Sequence, residues 1–251
     1  MNNTGITVAD VPDIFNLPPY GCARRCYFRK TEEPEIDPLS INDEHHKKDI
    51  VQIYSDFVAN IYRDATKRRV RSMNKPFFVN SKYPYILGDC DQYITKYLHH
   101  STDKYVPLEI RVLNRAEFYA IRRDGLPGNY YNYQLHHQMI AKDSRWASLA
   151  AFCPDVMSML TFDFTYDEVV AAEVITEERE FWLAVNDRAI DRLATPSGNL
   201  RCHLCGFRNK CIAGAQDMYS PAKKEKFELL EEVIKIKEYR AGEKRDVEAI
   251  R

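Results

Sequence analysis

The sequence predicts an α/β domain in which helices pack on a central mixed sheet. The first observation is an apolar stripe at helical spacing within residues 41–66, where Ile50, Ile53, Phe57 and Ile61 recur three or four positions apart. The second is a group of short segments after it that are rich in aromatic and β-branched residues. The third is a return to helical spacing that alternates with further strands. This order of elements favours one sheet with helices on its faces.

The individual elements can be bounded from the pattern of apolar and turn residues. Three successive strands of one sheet are predicted over 76–80, 85–94 and 105–113, with Asn80 and Ser81 as a turn between the first two. The later elements predicted, in chain order, are a helix over 130–142, strands over 146–153 and 157–163, and a helix over 176–193. A last helix is predicted over 220–240, because Ser220 and Pro221 supply a cap and a first-turn proline.

The length of 251 residues suits one main domain with appendages. The predicted parts are an N-terminal segment over 1–40, a core over 41–195, a cysteine motif over 196–219 and a helical tail over 220–251. The chain has 36 Lys and Arg against 37 Asp and Glu, which gives a formal charge of −1. This balance excludes a protein that is basic overall, so any contact with nucleic acid must be local.

Two clusters of basic residues could supply such a local contact. The candidates are Arg24, Arg25, Arg29 and Lys30 in the first cluster, and Lys67, Arg68, Arg69 and Arg71 in the second. No apolar run approaches the roughly 18 residues that a membrane span needs, and the N-terminus lacks a basic region followed by an apolar stretch. We therefore expect a soluble protein of the cytoplasm that does not bind a membrane.

Two short segments carry the residues that a hydrolytic metal site requires. They are Gly88-Asp89-Cys90-Asp91 and Glu109-Ile110-Arg111. Side chains alternate along a strand, so Glu109 and Arg111 share a face, and Asp91 on the adjacent strand can meet them there. Converging carboxylates make an oxygen site for Mg²⁺ or Mn²⁺, which could polarise a phosphodiester and activate water.

These segments, followed by Gln134-Leu135-His136-His137-Gln138-Met139, resemble the YqaJ-like viral recombinases and phage-lambda exonuclease of the PD-(D/E)XK nuclease superfamily. That family has an aspartate after a glycine, a Glu-x-Lys strand, and a helix with a Gln, a second Gln two later and a Met five later. Gln134 and Met139 match this pattern, whereas His136 replaces the second Gln. The resemblance spans about residues 21–193. It implies a restriction-endonuclease-like core that cuts DNA with Mg or Mn, with Asp91, Glu109, Arg111 and Gln134 at the catalytic site.

Two positions of this pattern need separate comment. The family places an acidic residue or a histidine on the helix before the sheet, and His46 continues the buried stripe toward the sheet, with Glu44 as the alternative. A histidine at the start of a helix can also have no catalytic duty. Where the family has lysine, this chain has Arg111, which stays protonated and offers a planar fork. Arg111 could hold a phosphate but could not orient water as a neutral amine.

A second constellation consists of cysteines. Three of the seven cysteines, Cys202, Cys205 and Cys211, lie within ten residues, which favours a metal site in a reducing compartment over disulfides. With Gly21-Cys22-Ala23-Arg24-Arg25-Cys26 they resemble the CRISPR-associated RecB-like exonucleases and AddB nuclease domains, in which one early and three late cysteines hold a [4Fe-4S] cluster that joins the chain ends. The resemblance implies Cys22 as the fourth ligand, with Cys26 in reserve.

Alternatives remain open at this cysteine site. Zinc accepts four cysteines equally well, and His203 could replace Cys22 as a ligand. The other two cysteines, Cys90 and Cys153, lie in strand-like segments and are expected to be small buried apolar residues.

Two functions from different classes follow from these patterns. The first is a metal-dependent DNA exonuclease of viral-recombination or CRISPR-adaptation type, located in the host cytoplasm if viral. The second is a DNA-binding or partner-binding protein of the same fold that lost catalysis with the lysine. The implied partners are DNA, as double-stranded ends or single strands, a recombination partner such as a single-strand annealing protein, and a second copy of the chain.

Overall fold

The chain forms two compact units, Met1–Ser197 and Gly198–Arg251. The computed structural model describes residues 5–17, 21–31, 54–72, 78–90, 92–96, 105–193, 205–207 and 211. All the helices and strands named below belong to the first unit. The predicted helix over 220–240, the first part of the helix predicted over 41–66, and the predicted ligands His46, Asp91 and Cys202 lie outside the described residues.

A five-stranded mixed sheet forms the centre of the first unit, in the order β1-β4-β5-β6-β7. Strands β5 and β6 are parallel, and the other neighbours are antiparallel. Two short strands, β2 and β3, pair with each other in a separate sheet. The strands in chain order are β1 (Arg69–Ser72), β2 (Phe78–Val79), β3 (Leu87–Gly88), β4 (Gln92–Lys96), β5 (Val106–Val112), β6 (Trp146–Cys153) and β7 (Ser158–Thr165).

Helices cover both faces of this sheet, as the sequence predicts. The described helices are α1 (Val11–Ile14), α2 (Ala23–Thr31), α3 (54–66), α4 (Arg115–Asp124), α5 (Tyr130–Lys142) and α6 (Glu168–Asn186). Helix α3 packs through Val58 and Tyr62 against the face that carries Phe152 of β6. Helices α4 and α5 pack against the opposite face, which carries Leu149 and Ala151. Strand β6 is therefore buried on both sides, which explains its continuous apolar sequence.

Two predicted elements were wrong in their bounds or pairing. The segment predicted as one strand over 85–94 divides into β3 and β4, which lie in different sheets, so the three predicted strands are not consecutive in one sheet. The helix predicted over 176–193 covers Glu168–Asn186 instead. It begins earlier because the Asp167 carboxylate accepts hydrogen bonds from the backbone N–H groups of Val169 and Val170 and caps the helix.

Four further elements were not predicted: β1, α1, α2 and α4. Helix α4 carries a capping box, in which Asn114 accepts from the backbone of Glu117 and the Glu117 side chain accepts from the backbone of Asn114. Within the described residues, no helix is long and apolar enough to cross a membrane.

Candidate active site

Strand β5 presents an acidic and a basic side chain on one face. Glu109 and Arg111 are two positions apart, and Arg111 Nη2 lies 2.9 Å from Glu109 Oε1. The β5 backbone is fixed on one side by parallel pairing with β6, where Glu109 is opposite Leu149. Glu109 is buried. A carboxylate in this position is therefore held by the centre of the sheet and does not depend on a mobile loop for its placement.

Helix α5 adds an amide group to this pair. Gln134 is buried, and its Oε1 accepts a hydrogen bond of 3.1 Å from Arg111 Nη2. The neighbouring Leu135 and Met139 belong to the apolar core between α5 and β6, so the helix cannot rotate freely about its axis. Glu109, Arg111 and Gln134 thus form one connected group, which we call the Glu109–Arg111–Gln134 cluster. The structure brings these predicted site residues together.

The Arg111 guanidinium retains an unused donor. Its Nε is buried and has no acceptor among the residues that the structure describes. Burial works against the charge, but the Glu109 carboxylate, the phenolic groups of Tyr130 and Tyr131 and the Asp89 carboxylate outweigh it and raise the pKa of Arg111. A buried donor without a partner costs about 1–3 kcal/mol. An anionic oxygen at this position would recover that cost, so the guanidinium is suited to bind a phosphate.

The remaining predicted metal ligands are not described. Asp91 is the residue before Gln92, the first residue of β4, and Gln92 pairs with Leu108, the neighbour of Glu109. His46 precedes the described part of α3. Among the described residues, no group of three or more His, Cys, Asp or Glu side chains is arranged to hold a metal ion. The metal site therefore remains a prediction that rests on Asp91, Glu109 and His46.

Asp89 has a role that the sequence did not reveal. Its Oδ1 accepts hydrogen bonds from the Val8 backbone at 3.2 Å and from Gln138 Nε2 at 3.0 Å, and burial raises its pKa. Asp89 therefore joins the N-terminal segment to α5. The spacing of Gln134 and Gln138, four residues apart on one helix face, was the available signal for a second polar contact beside the cluster.

Gly88 explains how β3 can approach α5 at this point. A Cβ atom at Gly88 would lie 3.0 Å from Ala141 Cβ, which is closer than most real contacts. The glycine in the Gly-Asp pattern thus has a packing function, because a larger residue would push the strand away from the helix.

The pKa values of two adjacent histidines of α5 are shifted in opposite directions. His137 is fully buried between Glu178 Oε1, at 2.8 Å from Nδ1, and the Leu87 carbonyl, at 3.0 Å from Nε2. Although burial opposes the charge, Glu178 raises the pKa of His137 to about 9. Glu178 Oε2 is also buried and has no hydrogen-bond partner among the described residues. This ion pair joins β3, α5 and α6 and does not contact the Glu109–Arg111–Gln134 cluster.

His136, which replaces the second glutamine of the family pattern, is neutral by its contacts. Its Nδ1 lies 2.8 Å from the Asn132 carbonyl and its Nε2 accepts from the Asp167 backbone at 3.0 Å. Burial lowers the pKa of His136. The imidazole therefore supports the start of α6.

Cys22 lies at the start of α2, where the backbone is tightly constrained. A Cβ atom at Gly21 would lie 2.1 Å from the Pro12 carbonyl oxygen, so only glycine fits before Cys22. The Cys22 backbone N–H donates to Asp13 Oδ1 at 3.0 Å. Cys22 is half-buried. The segment thus holds Cys22 in a fixed position on the surface of the first unit.

Cys26 is less suited to bind a metal than Cys22. It is fully buried, its thiol donates to Asp10 Oδ1 at 3.4 Å, and burial raises its pKa. A metal ligand must be a thiolate, so this environment disfavours Cys26. In the second unit, Cys205 and Cys211 are half-buried, and the Cys211 backbone donates to the Phe207 carbonyl at 2.9 Å. Cys90 and Cys153 are buried, as expected of small apolar residues.

The first basic cluster is largely committed to internal contacts. Arg29 and Lys30 form ion pairs with Asp10, Arg29 also pairs with Asp13 at 2.7 Å, and Arg24 donates to the Leu193 carbonyl. These contacts fold the N-terminal segment onto the domain and leave Arg24, Arg29 and Lys30 less available for phosphate, so contact with nucleic acid by this cluster stays an untested prediction.

The second basic cluster differs in its exposure. Arg68 forms a two-pronged pair with Asp163, whereas Lys67, Arg69 and Arg71 are exposed on or beside the edge strand β1. Contact with nucleic acid remains a prediction for these three exposed residues.

Comparison with solved structures finds an exonuclease of similar fold. The fold is similar to that of the alkaline exonuclease LHK-Exo from Laribacter hongkongensis, with a TM-score of 0.54 and 14% identity over 74% of this chain and 90% of the exonuclease. The same exonuclease in complex with dAMP gives a TM-score of 0.53 and 15% identity over the same shares of 74% and 90%. No family profile and no curated protein matches the sequence. The expected likeness to exonucleases is thus confirmed for the fold.

Proposed function

We propose that this protein is a metal-dependent deoxyribonuclease that hydrolyses phosphodiester bonds at DNA ends. The observation that carries the proposal is the Glu109–Arg111–Gln134 cluster, in which a carboxylate, a guanidinium with an unused buried donor and an amide are held together by β5 and α5. The similarity of the fold to that of an exonuclease supports the same function.

In this proposal Glu109, Asp91 and His46 hold Mg²⁺ or Mn²⁺. These side chains supply the carboxylate oxygens that such ions prefer, with an imidazole in addition. The ion would polarise the phosphodiester and lower the pKa of the attacking water. Arg111 binds the scissile phosphate and stabilises the charge that develops on it, and Gln134 holds the guanidinium in place.

The same proposal includes a four-cysteine centre formed by Cys22, Cys202, Cys205 and Cys211. Thiolates of this number suit a [4Fe-4S] cluster or zinc. The burial of Cys26 and its hydrogen bond to Asp10 favour Cys22 as the early ligand. The proposed type is an exonuclease of viral recombination or CRISPR adaptation that acts on double-stranded ends or single strands, and it rests on the resemblances of the nuclease motifs and of the cysteine motif.

One observation favours a second candidate function. Glu109 already pairs with Arg111 at 2.9 Å, so a metal ion must compete with a guanidinium for this carboxylate. Arginine cannot give up its proton to relieve that competition. The second candidate is therefore a DNA-binding or partner-binding protein that retains the fold without cleaving DNA.

Incubation of the purified protein with linear, nicked and single-stranded DNA in Mn²⁺ separates the two functions. Metal-dependent release of nucleotides from linear or single-stranded DNA supports the exonuclease. Binding of DNA without release at any Mn²⁺ concentration supports the second candidate and overturns the first. Nicked DNA reports whether an internal break can serve as an end.

A further inference from the structure

A large cavity lies at the turn between α4 and α5. Its volume is about 830 Å³, within the range of pockets that bind small ligands. The apolar part of its wall includes Ala120 and Ile121 from α4, Leu126 and Pro127 from the turn, and Tyr130 and Tyr131 from α5. Aromatic rings beside aliphatic carbon make a surface suited to a flat apolar ligand.

This cavity and the Glu109–Arg111–Gln134 cluster share helix α5, which contributes Tyr130 and Tyr131 to the cavity and Gln134 to the cluster. Tyr130 and Tyr131 lie four and three residues before Gln134, and residues at these spacings share one face of a helix. Gln134 in turn accepts the hydrogen bond from Arg111. Burial raises the pKa of Tyr131, and the Arg111 guanidinium opposes that shift, so the two groups lie within electrostatic range.

The charged residues that line the cavity are both carboxylates, whereas the cluster also carries the Arg111 guanidinium. Glu117 and Asp124 contribute to its wall, and both are engaged locally, Glu117 with the Asn114 backbone and Asp124 with Arg123. Two carboxylates repel a phosphate group, whereas they tolerate the amino groups of a nucleobase. A nucleotide would therefore place its phosphate at Arg111 and its base in the cavity.

We propose that this cavity binds the terminal nucleobase of the DNA strand whose phosphate Arg111 holds. The inference rests on the proposed function and narrows its substrate to a strand end with an unpaired terminal base, since a paired base cannot enter a cavity. Stacking on aromatic side chains contributes about 1–3 kcal/mol per base and tolerates any sequence, which suits an enzyme that degrades DNA progressively.

Titration calorimetry of the full chain with dAMP and with deoxyribose 5-phosphate tests this proposal. Ca²⁺ replaces Mn²⁺ in both titrations. We expect dAMP to bind roughly 5–150-fold more tightly, which is the stacking contribution expressed as a ratio of dissociation constants. Equal dissociation constants for the two compounds would overturn the proposal.

Substitutions in the cavity wall test whether the preference for dAMP arises in the cavity. Tyr130→Ala removes part of the wall, and Ala120→Trp occupies the space from the half-buried α4 position that also lines it. Both should reduce the preference for dAMP to near unity. Tyr119→Ala is the matched control. Tyr119 lies on α4 beside Ala120, is 44% exposed and does not line the cavity. Retention of the preference in both cavity variants would contradict the proposal.

The outcome for the cavity can be separated from that for the nuclease. Release of nucleotides from DNA together with equal binding of dAMP and deoxyribose 5-phosphate leaves the proposed function intact and overturns the cavity proposal. Preferential dAMP binding without any release of nucleotides leaves the cavity proposal intact and overturns the proposed function. If neither compound binds to a protein that melts cooperatively, the cavity proposal is overturned whatever the activity.

Discussion

At the scale of single residues, the contact between Glu109 and Arg111 changes the effect on stability that is expected when Glu109 is replaced. Carboxylates gathered for a metal repel one another, so this repulsion alone would leave stability unchanged or higher when one of them is removed. The structure gives Glu109 a cationic partner at 2.9 Å, and Arg111 Nε has no acceptor within the described part of the chain. Loss of Glu109 therefore removes an attraction as well as a repulsion.

We predict that Glu109→Gln lowers the free energy of unfolding by roughly 1–3 kcal/mol in metal-free buffer, the cost of weakening a largely buried charged contact. Urea denaturation of the wild type and the variant measures this difference. Glu168→Gln is the matched control, because Glu168 pairs with Arg145 at 2.8 Å on the exposed surface, where ion pairs contribute little. A Glu109→Gln protein as stable as the wild type would show that the buried pair contributes nothing.

Substitutions of Arg111 distinguish between the two candidate functions. If arginine serves as the phosphate clamp, Arg111→Lys should retain or raise the rate of Mn²⁺-dependent cleavage, because lysine restores the family pattern in the same space. Arg111→Ala should then lower the rate about 100-fold or more, the usual cost of a lost transition-state donor. If the wild type binds DNA without cleaving it, Arg111→Lys should recover weak cleavage. An active wild type that tolerates Arg111→Ala would refute both accounts.

At the scale of secondary-structure elements, α5 connects the candidate site to the rest of the domain. Gln134 faces the cluster, Gln138 binds Asp89, and His137 pairs with Glu178 of α6. The helix thus carries successive polar contacts on a surface that is almost entirely buried, so its position depends on all of them.

The ion pair between α5 and α6 makes stability depend on pH. The pKa of His137 is raised from 6.5 to about 9 in the folded protein. A base whose pKa is raised on folding contributes its full stabilisation below the unfolded pKa and loses it as pH rises through the folded pKa. We therefore predict that the melting temperature falls between about pH 7 and pH 9.5.

Separate substitutions of His137 and His136 show which of the two causes this pH dependence. His137→Gln should remove the alkaline fall in melting temperature. His136→Gln should retain it, because the pKa of His136 is lowered by burial and its contribution is lost on the acidic side. The same alkaline slope in His137→Gln as in the wild type would assign the dependence to another group.

Helix α2 provides a comparison of two cysteines only four residues apart. We predict that Cys22→Ser lowers the iron or zinc content and the melting temperature together, because a bound metal contributes its binding free energy to folding. Cys26→Ser should leave the metal content unchanged, since its thiol donates to Asp10 in a buried site. Metal analysis after anaerobic purification measures both. Full metal content in Cys22→Ser would exclude this residue as a ligand.

The elements that could be predicted from sequence are those with a long, regular pattern. Helix α5 and strand β6 begin and end at the predicted residues, and β5 falls within its predicted range. Helix α6 was misplaced because its start depends on the Asp167 cap more than on its apolar spacing. The division between β3 and β4 escaped detection because both strands are short and close together in the sequence, and only tertiary contacts assign them to different sheets.

The candidate site was predictable only in part for a similar reason. Alternation along a strand places Glu109 and Arg111 on one face, and this could be read directly. The bond from Gln138 to Asp89 and the pair of His137 with Glu178 join residues 49 and 41 positions apart, so no local pattern contains them. The internal contacts of Arg24, Arg29 and Lys30 were hidden because a run of cations does not reveal which of them meet carboxylates or carbonyls.

At the scale of the whole molecule, the fold and the cluster support one account. A mixed sheet with helices on both faces, similar to that of an alkaline exonuclease, positions Glu109, Arg111 and Gln134 at one place. The charge of the chain is nearly balanced, so the proposed binding of DNA requires local cations, for which we propose Lys67, Arg69 and Arg71. We expect this binding to weaken steeply with salt, because each phosphate contact releases counterions.

The central claim is that Glu109 and Asp91 support metal-dependent cleavage of DNA ends. The most direct measurement is the initial rate of nucleotide release from linear DNA over a Mn²⁺ titration, for the wild type, Asp91→Ala, Glu109→Gln and the control Glu168→Gln. The account predicts release by the wild type and by Glu168→Gln, with loss of at least about 100-fold in the two site variants. Release by Asp91→Ala or Glu109→Gln at the wild-type rate would contradict it.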